Sequence, residues 1–238
     1  MHRVDPGWAR LRVSGHSPHV NLPDLVLQRL HGFFPFSGAS TIVRHSSTRA
    51  LEDCPHHESA RGIVSLEDLR GKTVALGAKD SPQATLIPLR WLQRHGLEPG
   101  RDFRVRGFDV LVGKHGDHVG GELEAFRCLA RGEADASALL DLNWERWTRD
   151  GTIDPHAYRI LTTTAPFDHC CFTVRADFPP EHEQDFLRVL FAMRYGDPKH
   201  REMMDLEGLK AWVPGRSTGY ALLKEAVARQ GVFATPPA

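Results

Sequence analysis

The chain has 238 residues, enough for one large domain or for two lobes of ordinary size. Hydrophobic residues make up 41% and charged residues 25%, which is typical of a globular protein that buries a core. Thirty basic and thirty acidic side chains give a formal net charge of zero, which excludes a nucleic acid or a membrane surface as a partner held by bulk electrostatics. Any anion-binding site must therefore be local.

The start of the sequence predicts neither export nor membrane insertion. Residues 1–20 lack the apolar core of a secretory signal, and no apolar run approaches the roughly 18 residues that a membrane span requires. From the residues alone we expect a soluble chain that stays in the cytoplasm.

Cysteine and histidine spacing predicts no metal site and no cofactor. The four cysteines show no CxxC pair, and the fourteen histidines show no HExxH pattern. We expect free, mostly buried thiols. Catalysis is not expected either, because there is no GxSxG elbow, and His169 and Cys170 would point to opposite faces of a strand.

The first 63 residues contain few regular signals. Residues 21–34 predict one short amphipathic helix, with Leu25, Leu27 and Leu30 near helical spacing. Thr41 to Arg44 predict a short strand, and residues 45–63 a polar loop.

Regular elements begin at residue 65. Ser65 and Asp68 resemble a capping box before a one-turn helix that Gly71 ends. Residues 72–78 predict a buried strand, and Pro82 opens a helix that runs to His95 and is closed by Gly96.

Strands and helices then alternate. Strands are predicted at 102–112, 133–141 and 158–164, and helices at 122–131, 143–151, 181–196, 201–213 and 218–231. This alternation predicts an α/β fold with mostly parallel strands, in which ligands bind beyond the carboxyl ends of the strands. The loops after Leu76, Leu111, Leu140 and Thr164 are therefore the candidates for a binding site.

The turn before the first long helix has two interpretations. Free backbone N–H groups and the helix dipole at such a turn favour an anion, and Ser81, Gln83 and Thr85 add polar side chains. The dipole contributes only about 0.3–1 kcal/mol, whereas a micromolar ligand needs roughly 8 kcal/mol, so several loops would have to contribute. The alternative is that Asp80 or Ser81 merely caps the helix.

Three further loops carry charged residues at the same predicted edge. Lys114 and His118 lie in a glycine-rich loop, and Glu122 opens the next helix, where an acid usually compensates the dipole. Asp141 and Asp168 follow strands; a helix cap explains the first equally well and a turn the second.

Four blocks of sequence, in this order, resemble a known family. They are "SLEDLRGKTVALGAKDSPQATLIP", "GGELEAFRCLARGEADAS", "APFDHCCFTVRADFP" and "DLEGLKAWVPGRSTGY". The chain resembles, over roughly residues 41–225, the substrate-binding proteins of phosphate, phosphite and phosphonate ABC transporters, which belong to the type II periplasmic binding proteins.

The resemblance implies a periplasmic-binding-protein-like II fold, with two α/β lobes and a ligand cleft between them. Residues 71–165 would form lobe 2, and residues 1–70 with 166–238 a remnant of lobe 1. Residues 1–40 are atypical, because the family begins with a signal peptide and a strand–helix–strand half-lobe. The first lobe is therefore expected to be incomplete.

The resemblance also implies roles for individual residues. Ser81 keeps a hydroxyl of the family's oxyanion-binding turn, Pro82 and Gln83 replace two others, Ala84 stands at a usual glycine, and Thr85 restores one hydroxyl. Glu122 replaces a ligand-facing histidine, and its charge would be offset by Lys114 or His118. Asp168 resembles an acid that contacts a ligand amine, and Asp141 resembles a second one.

The function implied is that of a solute-binding component of an ABC transporter, with a small oxyanion as ligand and the transporter permease as partner. The resemblance places such a protein in the periplasm. Two alternatives remain open: a cytosolic enzyme on the same fold, similar to pyrimidine-precursor synthases, and a nonfunctional truncated fragment.

Overall fold

The computed structural model describes residues 30–33, 37–38, 40–45, 62–110, 119–168, 171–174, 177–206 and 209–231. Nine strands lie in these ranges: β1 (Leu30–Phe33), β2 (Ser37–Gly38), β3 (Ser40–His45), β4 (Thr73–Leu76), β5 (Arg104–Gly107), β6 (Ala136–Leu140), β7 (Tyr158–Thr163), β8 (Phe167–Asp168) and β9 (Cys171–Thr173).

Six α-helices lie in the same ranges: α1 (Ile87–Arg94), α2 (Val119–Ala130), α3 (Asp141–Arg149), α4 (Pro180–Ala192), α5 (Pro198–Leu206) and α6 (Ala221–Gln230). Short helical turns lie at Glu67–Leu69, before β4, at Pro82–Leu86, before α1, and at Thr218–Tyr220, before α6.

The main sheet has five strands in the order β5-β4-β6-β3-β7. Strand β4 runs parallel to both β5 and β6, whereas β3 runs antiparallel to β6 and β7. Strands β4, β5, β6 and β7 therefore run in one direction and β3 opposes them. The predicted mostly parallel sheet is confirmed, with one antiparallel strand that comes from a distant part of the chain. Parallel strands β4 and β6 still bring their carboxyl ends to one edge.

Two apolar clusters cover the two faces of this sheet. Neighbouring residues on a strand point to opposite faces, so Ile42 joins the cluster under α1 while Val43 joins the cluster under α2 and α3. Leu92 of α1 packs on the first face, and Phe126 and Trp147 pack on the second. This double cover explains why β6 is buried along its whole length.

Local signals in the sequence correctly fix several boundaries. The predicted one-turn helix is present at Glu67–Leu69. The Asp68 carboxylate accepts hydrogen bonds from the Ser65 N–H at 2.8 Å and the Ser65 hydroxyl at 2.9 Å, which is the acid's half of the predicted capping box, while Leu66 and not Ser65 stands at the N-cap. Gly71 and Gly96 end their helices with φ of 75° and 79°, a conformation that favours glycine. The strand predicted at Thr41 to Arg44 is β3.

Other predicted boundaries are wrong. Leu30–Phe33 form strand β1, paired with β9, where the sequence predicted a helix; the remainder of that predicted helix lies outside the described residues. The helix predicted from Pro82 begins as a wider π-helical turn and becomes an α-helix only at Ile87. Helix α5 ends at Leu206, short of the predicted residue 213. Local periodicity in the sequence carries no information on pairing with distant strands or on such changes of helical pitch.

Candidate functional site

The turn between β4 and α1 is ordered by its own serine. Ser81 Oγ accepts a hydrogen bond from the Ala84 N–H at 3.3 Å, and the Ser81 carbonyl accepts bonds from the N–H groups of Thr85 and Leu86 at 3.2 and 3.0 Å. Ser81 is thus a helix cap, as the cap interpretation predicted. Its hydroxyl accepts in this bond, so its own O–H group can still donate.

A second set of contacts fastens the turn to the end of β4. Thr85 Oγ1 donates to the Gly77 carbonyl at 3.1 Å, and the Gly77 N–H donates to the Ala84 carbonyl at 3.2 Å. A Cβ added to Gly77 would lie 2.6 Å from the Ala84 Cβ and 3.3 Å from the Glu122 nitrogen. Only glycine therefore allows the turn and the start of α2 to approach the strand end this closely.

Helix α2 begins against the same strand end. A Cβ added to Gly121 would lie 2.9 Å from the Phe108 carbonyl oxygen and 3.0 Å from the Ala78 nitrogen, both of which are backbone atoms. This close approach directs the next side chain, Glu122, into the interior, where it has no exposed surface.

The Glu122 carboxyl group joins three elements. Its Oε2 atom accepts a hydrogen bond from the Leu140 N–H at 2.9 Å and another from the Asn143 Nδ2 at 2.8 Å. Leu140 is the last residue of β6 and Asn143 lies in the first turn of α3, so the carboxyl group binds where that strand becomes that helix. Among the described residues, Glu122 Oε1 has no hydrogen-bond partner.

Burial sets the protonation of this acid. Desolvation raises the pKa of Glu122 to about 7, and the hydrogen bonds from Leu140 and Asn143, with the nearby polar side chain of Gln83, only partly oppose that rise. The negative charge of Asp141 raises the pKa further. Near neutral pH both the acid and the carboxylate are therefore populated.

Asp141 occupies the first position of α3. Its Oδ1 accepts a hydrogen bond from the Leu142 N–H at 2.9 Å, and the residue is partly exposed. Leu140, not Asp141, stands at the N-cap position of the helix. The predicted cap is therefore wrong by one residue, because the Glu122 carboxyl group binds the N–H of Leu140 instead.

Asp168 is bound by a cation from the C-terminal part of the chain. Arg216 donates from Nε to Oδ2 at 2.8 Å and from a terminal guanidinium nitrogen to Oδ1 at 2.7 Å, the two-pronged geometry that arginine favours. Asp168 is only 2% exposed. Gly219 packs directly on the carboxylate, since an added Cβ would lie 1.7 Å from Oδ2.

The structure thus brings most of the sequence-predicted residues to one edge of the sheet. The strand-end cluster, as we call it, consists of Ser81, Gln83, Ala84, Thr85, Glu122, Asp141 and Asn143. Asp168 lies nearby, because Phe167 packs in one apolar cluster with Ile87 of α1 and Leu140 of β6. Lys114 and His118 lie outside the described residues.

Sequence reasoning missed Asn143 and Arg216. Asn143 follows the strand end by three residues. An asparagine so close after a strand that carries other candidate residues is a signal that could have been used. Nothing in the sequence near Arg216 indicates a partner 48 positions away. Within the described ranges, no group of acidic, histidine or cysteine side chains is arranged to hold a metal ion. The same ranges contain no helix that is long and apolar enough to span a bilayer.

The structure has a mixed α/β sheet with helices that begin at the carboxyl ends of its strands. Type II periplasmic binding proteins have this kind of architecture. The family model described as "ABC transporter, phosphonate, periplasmic substrate-binding protein" matches residues 54–220. The chain therefore belongs to this family, which confirms the resemblance seen in the sequence.

Solved structures with the same fold agree. PhnD1 from Prochlorococcus marinus, solved with methylphosphonate, superposes with a TM-score of 0.65 at 15% identity, over 85% of this chain and 71% of PhnD1. XAC2383 from Xanthomonas citri, solved with ATP, gives 0.60 at 21% identity, over 87% of this chain and 70% of that protein.

Two further relatives match over smaller shares of their own length. A binding component of an ABC phosphonate transporter from Pseudomonas aeruginosa gives a TM-score of 0.59 at 11% identity, over 86% of this chain and 63% of that protein. An uncharacterised curated protein of Haemophilus influenzae is 54% identical over 33 residues, which are 14% of this chain and 46% of that protein. The chain thus matches about half the length of this curated relative.

Proposed function

We propose that the chain acts as the solute-binding component of an ABC transporter and binds a small oxyanion, a phosphonate, phosphite or phosphate, at the strand-end cluster. The observation that carries this proposal is the convergence of three helical starts, those of the 82–86 turn, α2 and α3, at the carboxyl ends of β4 and β6. The transporter permease is its proposed partner and the periplasm its proposed place of action.

The energetics require this convergence. One helix start contributes about 0.3–1 kcal/mol to binding a charge, and a micromolar ligand needs roughly 8 kcal/mol. Three starts together supply about 1–3 kcal/mol, so direct hydrogen bonds must supply most of the remainder. Ser81, whose own O–H group can still donate, and Gln83 are the proposed donors. Ala84 and Thr85 would shape the same turn, since the Ala84 N–H donates to Ser81 Oγ and the Thr85 hydroxyl donates to the Gly77 carbonyl.

Charge near the ligand comes from two groups of residues. Lys114 or His118, by sequence position, would offset the negative charge of the ligand. Asp141, and Glu122 when it is ionised, would select its polar remainder. Asp168 already carries an internal cation in Arg216, so a ligand with an ammonium group would have to displace that guanidinium, and a ligand without one would not.

Binding is proposed without chemical turnover. A binding protein needs only a reversible fit, and the roles above require no nucleophile and no activated water. Release of product from methylphosphonate incubated with the protein, measured by phosphorus NMR, would contradict this part of the proposal and favour an enzyme.

The test is calorimetric titration of methylphosphonate, phosphite, phosphate and aminoethylphosphonate. We expect at least one of them to bind, and the double variant Ser81→Ala/Thr85→Val to lose most of that affinity. Ser81 loses its proposed donor, and the turn loses the bond from Thr85 to the Gly77 carbonyl while the volume of Thr85 is kept. Thr152→Val is the matched control, since its hydroxyl binds Asp150 in an exposed loop. Unchanged affinity in a folded double variant would place the site elsewhere.

A further inference from the structure

The Glu122 carboxyl group differs in its two oxygen atoms. Oε2 accepts two hydrogen bonds, from the Leu140 N–H and from Asn143 Nδ2, whereas Oε1 has no partner among the described residues. A carboxylic acid keeps its acceptor interactions on one oxygen and carries its proton on the other. A proton on Glu122 therefore resides on Oε1, a buried atom that has no other hydrogen-bond partner among the described residues.

The groups around this oxygen offer it no compensating charge. The neutral Gln83 side chain approaches from the 82–86 turn, the neutral Asn143 amide from α3, and backbone from β4 and β6. The charged neighbour on the described elements is Asp141, which is also negative. Residues 111–118, which include Lys114 and His118, lie outside the described residues.

An oxyanion and an ionised Glu122 cannot share this site without a cost. Two like charges in neighbouring positions repel each other, and burial strengthens the repulsion because the local dielectric constant is low. A neutral Glu122 has the opposite effect, because its Oε1–H group donates to an oxygen of the ligand. Protonation thus converts a repelling group into a hydrogen-bond donor.

We propose that Glu122 carries a proton when the oxyanion is bound and donates it in a hydrogen bond from Oε1, so that the protein takes up one proton with its ligand. This inference rests on the proposed function, and it deepens it by making Glu122 the residue that selects the ligand by protonation state. The burial that raises the pKa of Glu122 to about 7 places the transition near neutrality.

The proton balance is simple. Above the pKa of the free protein, Glu122 is ionised, and binding of the oxyanion removes one proton from solvent to form Glu122 Oε1–H; no covalent bond to the ligand forms or breaks. Affinity for an oxyanion of fixed charge should therefore fall about tenfold for each pH unit above that pKa. Below the pKa the proton is already present and this dependence disappears.

The experiment compares the wild-type chain with Glu122→Gln in calorimetric titrations of methylphosphonate from about pH 6 to about pH 8.5. Each pH is measured in two buffers with different ionisation enthalpies, which gives the number of protons taken up. Titration of the ligand itself is the same in both proteins and cancels in the comparison. Glu124→Gln is the matched control, because Glu124 lies on the same helix but pairs with Arg127 at the surface.

We expect the wild-type and Glu124→Gln proteins to take up close to one more proton per ligand than Glu122→Gln at the alkaline end. The affinity of Glu122→Gln should exceed that of the wild type there by about tenfold or more, because its neutral amide does not repel the ligand. Equal proton uptake and equal pH dependence in all three proteins would overturn the inference and leave the proposed function standing.

If neither folded protein binds methylphosphonate, phosphite or phosphate at any pH, the proposed function fails and the inference fails with it. A second readout does not depend on the stability of the variant. Infrared difference spectra of the wild-type chain at about pH 8.5 should gain a protonated-carboxyl band on adding methylphosphonate. A spectrum without that band at saturation contradicts the inference.

Discussion

Two buried carboxyl groups lie near the same sheet edge and are stabilised in opposite ways. Asp168 is held by a guanidinium that grips both of its oxygens, whereas Glu122 is held by a backbone N–H and a side-chain amide. In the first arrangement a cation lies against the carboxyl group and offsets its desolvation. The second allows the group to become neutral, because amides compensate only part of that cost.

The difference suggests that Asp168 has a structural role and that Glu122 has a functional one. A carboxylate in an ion pair has a structural role. Asp168 links β8 to the segment with Arg216 and Gly219, through the ion pair with the first and the packing contact with the second. An acid without an ion-pair partner on the described elements changes its charge readily. Glu122 is therefore the residue at which this chain can respond to a ligand or to pH.

The largest expected effect is on the pH dependence of stability. Folding raises the pKa of Glu122 from 4.5 to about 7, so the folded state binds the proton more tightly than the unfolded state. Its contribution is fully present below about pH 4.5 and is lost as the pH rises to about 7. This loss amounts to roughly 3 kcal/mol of unfolding free energy.

Urea unfolding of the wild type and Glu122→Gln between these pH values measures this contribution as a difference. Other acids titrate in both proteins and cancel. A pH dependence that is the same in the two proteins would mean that burial does not change the protonation of Glu122, which would contradict this prediction.

A smaller effect is expected from closing the space beside β4. Gly77→Ala places a methyl group within 2.6 Å of the Ala84 Cβ and 3.3 Å of the Glu122 nitrogen, which forces the turn and α2 apart. We expect a loss of about 2 kcal/mol in unfolding free energy. Gly196→Ala is the control, since an added Cβ there meets nothing within 4 Å; equal stabilities of the two variants would show that the cluster is loosely packed.

The smallest of the three effects should come from Asp168. Arg216→Met keeps the length of the side chain but removes the cation from the Asp168 carboxyl group. Because the Arg216 side chain is 57% exposed, solvent screens the pair, and we expect a loss of about 1 kcal/mol and a fall of about 4 °C in the melting temperature. Arg188→Met removes an exposed ion pair with Asp185 and should change little. If the two variants melt together, Asp168 does not depend on Arg216.

Much of the site could be predicted from the sequence, because it depends on local signals. Ser81 before Pro82, the paired glycines before Glu122, and an acid at the end of a buried strand each mark a strand end or a helix start. Their meeting follows from the rule that parallel strands share a carboxyl edge. The particular contacts were beyond prediction, since the Glu122 bond to Asn143 and the Asp168 bond to Arg216 join residues 21 and 48 positions apart.

The fold was predictable in class but not in topology. Alternating periodicities predicted an α/β architecture, and the resemblance to phosphonate-binding proteins led to the correct family. The antiparallel β3 and the strand at Leu30–Phe33 depend on partners far along the chain, which periodicity does not encode. The division of the chain into residues 71–165 and a remnant of a first lobe stays a prediction.

The central claim is that the oxyanion binds at the strand-end cluster, and backbone amide shifts test it most directly. In a titration of the nitrogen-15-labelled chain with methylphosphonate, the amides of Ala84, Thr85 and Leu140 should shift along saturable curves, while that of Leu209, packed in the separate C-terminal apolar cluster, stays in place. Saturable shifts confined to other parts of the chain, or unmoved amides at these three positions, would contradict the account.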